Sequence, residues 1–72
     1  MKEIIEFYVS AHLNEVAIIA GTVSKYSGCS LIQTVSEGDN IMHLTIRGTW
    51  DCYNDISKHK IYSIEHFQDD FL

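Results

Sequence analysis

The chain has 72 residues, a formal net charge of −5, two cysteines and no proline. Its 46% apolar share argues against disorder. Its five basic residues, scattered at Lys2, Lys25, Arg47, Lys58 and Lys60, argue against nucleic acid, because phosphate binding needs clustered Lys and Arg. A chain this short is expected to form one domain over residues 1–72 with a thin core, of the kind that often adds a disulfide, a metal or a partner subunit.

Glu3 to Ser10, "EIIEFYVS", is rich in β-branched and aromatic residues and alternates. It predicts a first strand with Ile5, Phe7 and Val9 inward and Ile4, Glu6 and Tyr8 outward. The period then changes. Leu13, Val16, Ala17, Ala20 and Val23 share one face of a helix, with Ile18 roughly opposite. Asn14 or His12 sits near the start of this helix, and Glu15 suits the positive end of its dipole. Gly28 fits a left-handed cap after "KYS". Gly21 inside the helix costs about 1 kcal/mol relative to alanine, which a close approach to the sheet would justify.

Cys29–Ser36 and Ile41–Gly48 alternate and flank "EGDN", which predicts an antiparallel hairpin. Leu31 and Val35 would share a face with Cys29, and Met42, Leu44 and Ile46 would share a face of the next strand. Thr49 can cap a short helix in which Trp50, Tyr53 and Ile56 recur at threefold spacing. Lys60–Phe67 predicts the last strand, and residues 68–72 a tail whose Phe71 and Leu72 are apolar.

Strand, helix, strand, strand, short helix, strand is the order of a ferredoxin-like α+β sandwich. Its βαββαβ chain folds as a four-stranded antiparallel sheet with two helices on one face. The opposite sheet face is expected to carry Ile4, Tyr8, Ile32 and Ile64, too apolar for water and therefore an interface, with Ile18 as a further contact on the helix. A homodimer or another protein partner follows from that expectation.

The residues that bear chemistry form no constellation in the sequence. A reactive thiol needs a lowered pKa. Cys29 instead follows a helix C-terminus, whose dipole disfavours a thiolate, so a small packed side chain is the expectation. His12, His43, His59 and His66 form no metal-ligand spacing with the cysteines, so neither a metal nor a cofactor is expected. Asp51 and Asp55 lie on one face of the short helix, which suits its dipole as well as acid–base work. Trp50, Tyr53, Tyr62 and Phe67 could form a contact patch, but in so small a domain they are expected in the second half of the core. No nucleophile motif and no phosphate loop is present, so the chain is expected to be non-enzymatic. "MKEIIEFYVS" lacks the pattern of a signal peptide, and no apolar run reaches the length of a membrane span. A cytoplasmic protein with reduced thiols is therefore expected.

The run "IIEFYVSAHLNEVAIIAGTVSKYSGCSLIQTVSEGDNIMHLTIRG" resembles the first elements of ACT domains. That resemblance implies a regulatory module that pairs through its sheets or helices and binds a small ligand, often an amino acid, at the turn after the first strand. Here the turn is "SAHLNE". It lacks the proline–glycine common in that family. Asn14 is the residue carried over, with His12 beside it as the second candidate ligand residue. "SGCSLIQTVSEGDNIMHLTIRG" also resembles the NapD-type chaperones of nitrate reductase maturation, which implies binding of a basic signal peptide on the sheet. A third expectation rests on no family. Small, acidic, aromatic-bearing proteins without an active site also serve as phage- or plasmid-encoded inhibitors of a host protein.

Overall fold

The first strand, β1 (Ile5–His12), lies inside the sheet with a neighbour on each side. Its alternation sets the two faces, since Ile5, Phe7, Val9 and Ala11 are buried and the residues between them are not. The structure is a computed structural model describing residues 3–67. After β1 come a 3₁₀ turn (Leu13–Glu15) and helix α1 (Val16–Ser24). Strands β2 (Ser30–Gly38) and β3 (Ile41–Gly48), helix α2 (Trp50–Ile56) and strand β4 (Ser63–Phe67) follow. The sheet is antiparallel in the order β2-β3-β1-β4. This is the ferredoxin-like α+β arrangement, and both helices pack on the Phe7 face. The tail at 68–72 lies outside the described residues.

Register explains the core. Phe7 stands opposite Ile46 on one side and His66 on the other, while Val9 stands between Leu44 and Ile64. Onto these rows α1 sets Ile19 and Val23, and α2 sets Cys52 and Ile56. Each fully buried aliphatic or aromatic side chain contributes about 1.5–3 kcal/mol. The hairpin turn forms as its sequence demands. Asp39 and Asn40 both have positive φ, 53° and 64°. Two left-handed central residues define the tight turn whose twist matches the flanking strands, and Asn and Asp tolerate that conformation.

Three expectations about faces are corrected. First, the buried stripe of α1 is Ile19, Thr22 and Val23 with Val16 packed beside them, whereas Leu13 is 48% exposed and Ala17 is also exposed. The α-helix begins only at Val16, after a 3₁₀ turn of different pitch. A phase counted from Leu13 therefore does not carry into the helix. Second, Val35 pairs with His43 and lies on the outer face, opposite to Leu31, which pairs with Ile46. The register slips at Ile32, and one extra residue reverses the side chains from Gln33 to Ser36, where the register shifts again. Third, Ile64 is on the inner face opposite Val9 and packs against the core. The alternation of the last strand was legible, but its phase is set by pairing with β1.

Gly21 does not mark a close approach, because a Cβ there would meet nothing within 4 Å. Gly48 does mark one, as described below. Gly28, at φ +80°, follows the end of α1 as the left-handed residue expected there.

Candidate functional site

The largest consequence of the strand order for chemistry lies at the end of β1. Antiparallel pairing of β1 with β4 brings the segment before β4 alongside the residues that follow β1. The Tyr62 amide donates to the Ser10 carbonyl at 2.8 Å, which fixes that segment in place. Across the chain, the Leu13 amide donates to the Asn40 carbonyl at 2.7 Å and ties the hairpin turn to the same end. Between the segment before β4 and the residues that follow β1 lies a cleft of about 330 Å³ lined by His12, Asn14, Glu15, Lys60, Ile61 and Tyr62.

His12 caps the 3₁₀ turn. Its Nδ1 accepts the Asn14 amide at 3.0 Å. A neutral ring that accepts at Nδ1 carries its proton on Nε2, so the cap also fixes the tautomer. Glu15 and Lys60 supply opposite charges to one small cleft, and Tyr62, 61% exposed, supplies an aromatic wall with a phenol. A carboxylate, an ammonium and an aromatic ring thus line one concave site.

Both ligand residues named from the sequence, His12 and Asn14, therefore line one cleft. Glu15, Lys60, Ile61 and Tyr62 were not picked out as ligand residues. The fold contained the signal for them, since a strand paired antiparallel to β1 must begin where β1 ends.

The residues expected at an interface are dispersed. On the outer face, Tyr8 donates to Glu6 at 2.8 Å, and Arg47 approaches the same carboxylate at 3.6 Å. His43 lies 2.8 Å from Glu37. These polar partners interrupt the apolar face expected from Ile4, Tyr8, Ile32 and Ile64. What remains apolar and exposed is Ile4, Tyr8, Ile32 (51%) and Val35 (46%), while Ile18 (52%) lies on the helix layer. Strand β2 is an edge with β3 on one side only, and every one of its residues except Leu31 is exposed.

The remaining histidines have separate partners. His59 Nε2 lies 2.8 Å from the Thr22 hydroxyl, and His66 meets the Trp50 ring edge-on at 4.9 Å between ring centres. Of the aromatics expected in the core, Tyr53 reaches Phe7 edge-on, whereas Trp50 (37% exposed) lies over Tyr53 at the surface and Tyr62 is exposed, because Tyr62 precedes β4 rather than joining it. Among the described residues, no three potential ligands are grouped to hold a metal. Asp51 and Asp55 share a shallow depression with Tyr26, Asn54 and Lys58. The Tyr26 phenol donates to Asp55 at 2.6 Å, and that bond holds its pKa up, to about 12. Among the described residues no helix is long and apolar enough to cross a membrane.

Compared with protein-family models, curated proteins and solved structures, the chain matches none of them.

Proposed function

We propose that this chain is a non-enzymatic binding and regulatory module that acts through protein contact, in the first instance with a second copy of itself. The observation that carries this reading is β2, a nine-residue edge strand exposed along nearly its whole length. Such an edge presents unpaired amides and carbonyls, and it invites a strand from another chain where no charge, proline or β-bulge blunts it; the register shifts at Ile32 and between Ser36 and Gly38 leave Gln33–Ser36 as its regular stretch. β2 contains no proline, and its one charged residue is Glu37, beside the turn. Ile32 and Val35 add apolar contacts along the same strand.

Light scattering over a range of protein concentrations tests the proposal. A dimer that Ile32→Lys converts to monomer supports it. A wild-type monomer at every concentration removes the self-association reading.

The cleft at His12 and Asn14 favours a second reading, a module that senses a small zwitterion such as an amino acid. Glu15 would face the ammonium and Lys60 the carboxylate. A ligand at about a hundred times its Kd stabilises the folded state by about 2.7 kcal/mol. Melting curves with each amino acid in turn would reveal it, and Lys60→Ala would abolish the shift. A flat response to all of them would refute this reading and leave the first intact.

A further inference from the structure

The two cysteines lie far apart in the sequence and meet in the fold. Cys29 is the residue before β2, and Cys52 is in the first turn of α2. The end of β3 separates them, and the residue placed there is Gly48. A Cβ on Gly48 would lie 2.8 Å from the Cys29 sulfur, 3.2 Å from the Cys29 Cβ and 3.6 Å from the Cys52 Cβ. Both side chains therefore converge on the space that the missing Cβ leaves. Thr49 belongs to the same group. Its hydroxyl accepts the Cys52 amide at 3.3 Å and lies 4.0 Å from the Cys29 sulfur.

We propose that Cys29 and Cys52 are a redox pair that closes to an intramolecular disulfide when the protein meets a hydroperoxide, and reopens with a low-molecular-weight thiol. Both are free thiols in the structure. Cys29 is partly exposed and Cys52 fully buried, so an oxidant reaches Cys29 first. The Cys29 thiolate attacks the peroxide, its O–O bond breaks, and a sulfenic acid and an alcohol (water, for hydrogen peroxide) result. The Cys52 sulfur then displaces the sulfenic oxygen as water and forms the S–S bond. Two thiols and one hydroperoxide give one disulfide, one alcohol and one water, with two electrons passing from sulfur to the peroxide.

Order of attack follows from the environment as well as from access. Burial, and next the neighbouring Cys29, push the Cys52 thiol up to about 12. Cys52 is thus a poor first nucleophile, and the same raised pKa makes its attack on the Cys29 sulfenic acid the slow step. Reopening is thiol–disulfide exchange. The bridge would fasten the start of the free edge strand to the helix layer and enclose the whole β2–β3 hairpin in one covalent loop.

The test treats the full chain with hydrogen peroxide, denatures it, alkylates the remaining thiols and reads the intact mass. The expected product is a monomer lighter by two hydrogen atoms that takes up no alkyl group, reverts with dithiothreitol and yields a peptide linking Cys29 to Cys52. Its melting temperature should rise by on the order of 10 °C, as a closed loop of this length implies. Cys29→Ser is the check least able to disturb folding, and in it Cys52 should stay alkylatable after peroxide. Overturning results are a disulfide-linked dimer, a sulfinic acid at Cys29 with Cys52 still free, or an oxidised monomer that melts below the reduced one.

Discussion

Gly48→Ala probes the point where β3, α2 and the cysteines meet. Gly48 is the last residue of β3 and is paired with Ile5, and at such a position this change ordinarily stabilises by up to about 0.5–1 kcal/mol, because glycine loses more backbone freedom on folding than alanine. Gly48 does not have the positive φ of Gly28 and Gly38, so its backbone accepts alanine. The obstacle is space. The new Cβ would lie 2.8 Å from the Cys29 sulfur and 3.2 Å from its Cβ. Comfortable contact between heavy atoms lies near 3.5–4.0 Å, so the sulfur must retreat by roughly 1 Å. An off-rotamer side chain costs about 0.5–1.5 kcal/mol, and overpacking a filled site about 1–3 kcal/mol. Set against the backbone gain, the net expectation is a loss of about 1–2 kcal/mol. In a domain of this size that lowers Tm by on the order of 5–15 °C.

Urea denaturation followed by Trp50 fluorescence measures the loss. The same substitution in a Cys29→Ala background isolates its cause. Removing the sulfur leaves only the Cβ contact, so most of the penalty should vanish, with a coupling of about 1 kcal/mol between the two sites. A Gly48→Ala protein as stable as wild type would refute the reasoning. An equal penalty with and without the Cys29 sulfur would refute it as well.

Ile19→Ala should cost about 2–5 kcal/mol, because Ile19 is fully buried, whereas Ile18→Ala one position away should stay within about 0.5 kcal/mol; equal losses in the two urea curves would mean that α1 faces the sheet differently. Gly21→Ala should stabilise by about 1 kcal/mol, since its Cβ would enter open space on a helix, and a lowered Tm would reveal a contact there. The Tyr26 phenol, held up to about 12 by donating to Asp55, should ionise after an ordinary tyrosine at 10.0. Because the folded state binds that proton more tightly, its contribution to stability is complete below pH 10 and lost as pH rises from 10 to about 12. Phenolate absorbance should show the late ionisation in wild type and its return toward 10.0 in Asp55→Asn, and identical titrations would refute the role of that bond.

Order and type of elements were legible in the sequence because they depend on local period and on turn chemistry. "EGDN" could form little but a tight turn, and Ile41–Gly48 emerged with the boundaries its alternation implied. Faces were less legible, because each depends on something non-local. The phase of α1 depends on where a 3₁₀ turn gives way to an α-helix. Val35 changed sides because of one extra residue at Ile32, which no alternation count detects. Ile64 changed sides because β4 takes its phase from β1, and the pairing of Ser63 with Ser10 is a tertiary fact.

The same distinction divides the two candidate sites. His12 and Asn14 were named on a resemblance to a family's first turn, and both lie at one cleft, which leaves their role to the ligand test. Glu15 and Lys60 could not be paired by spacing, since only the antiparallel return of the chain beside β1 makes them neighbours. Cys29 and Cys52 are the stronger case. Their spacing matches no motif, and Cys29, judged alone, looks like punctuation between helix and strand. Cys29 does pack against the core as that reading expects, and Gly48 shows what it meets there. Gly48 reads as an ordinary strand end until the space above it is measured, and that space is filled by two sulfur-bearing side chains from different elements. A glycine at a strand position whose Cβ would collide with a neighbour marks a contact that the rest of the sequence conceals.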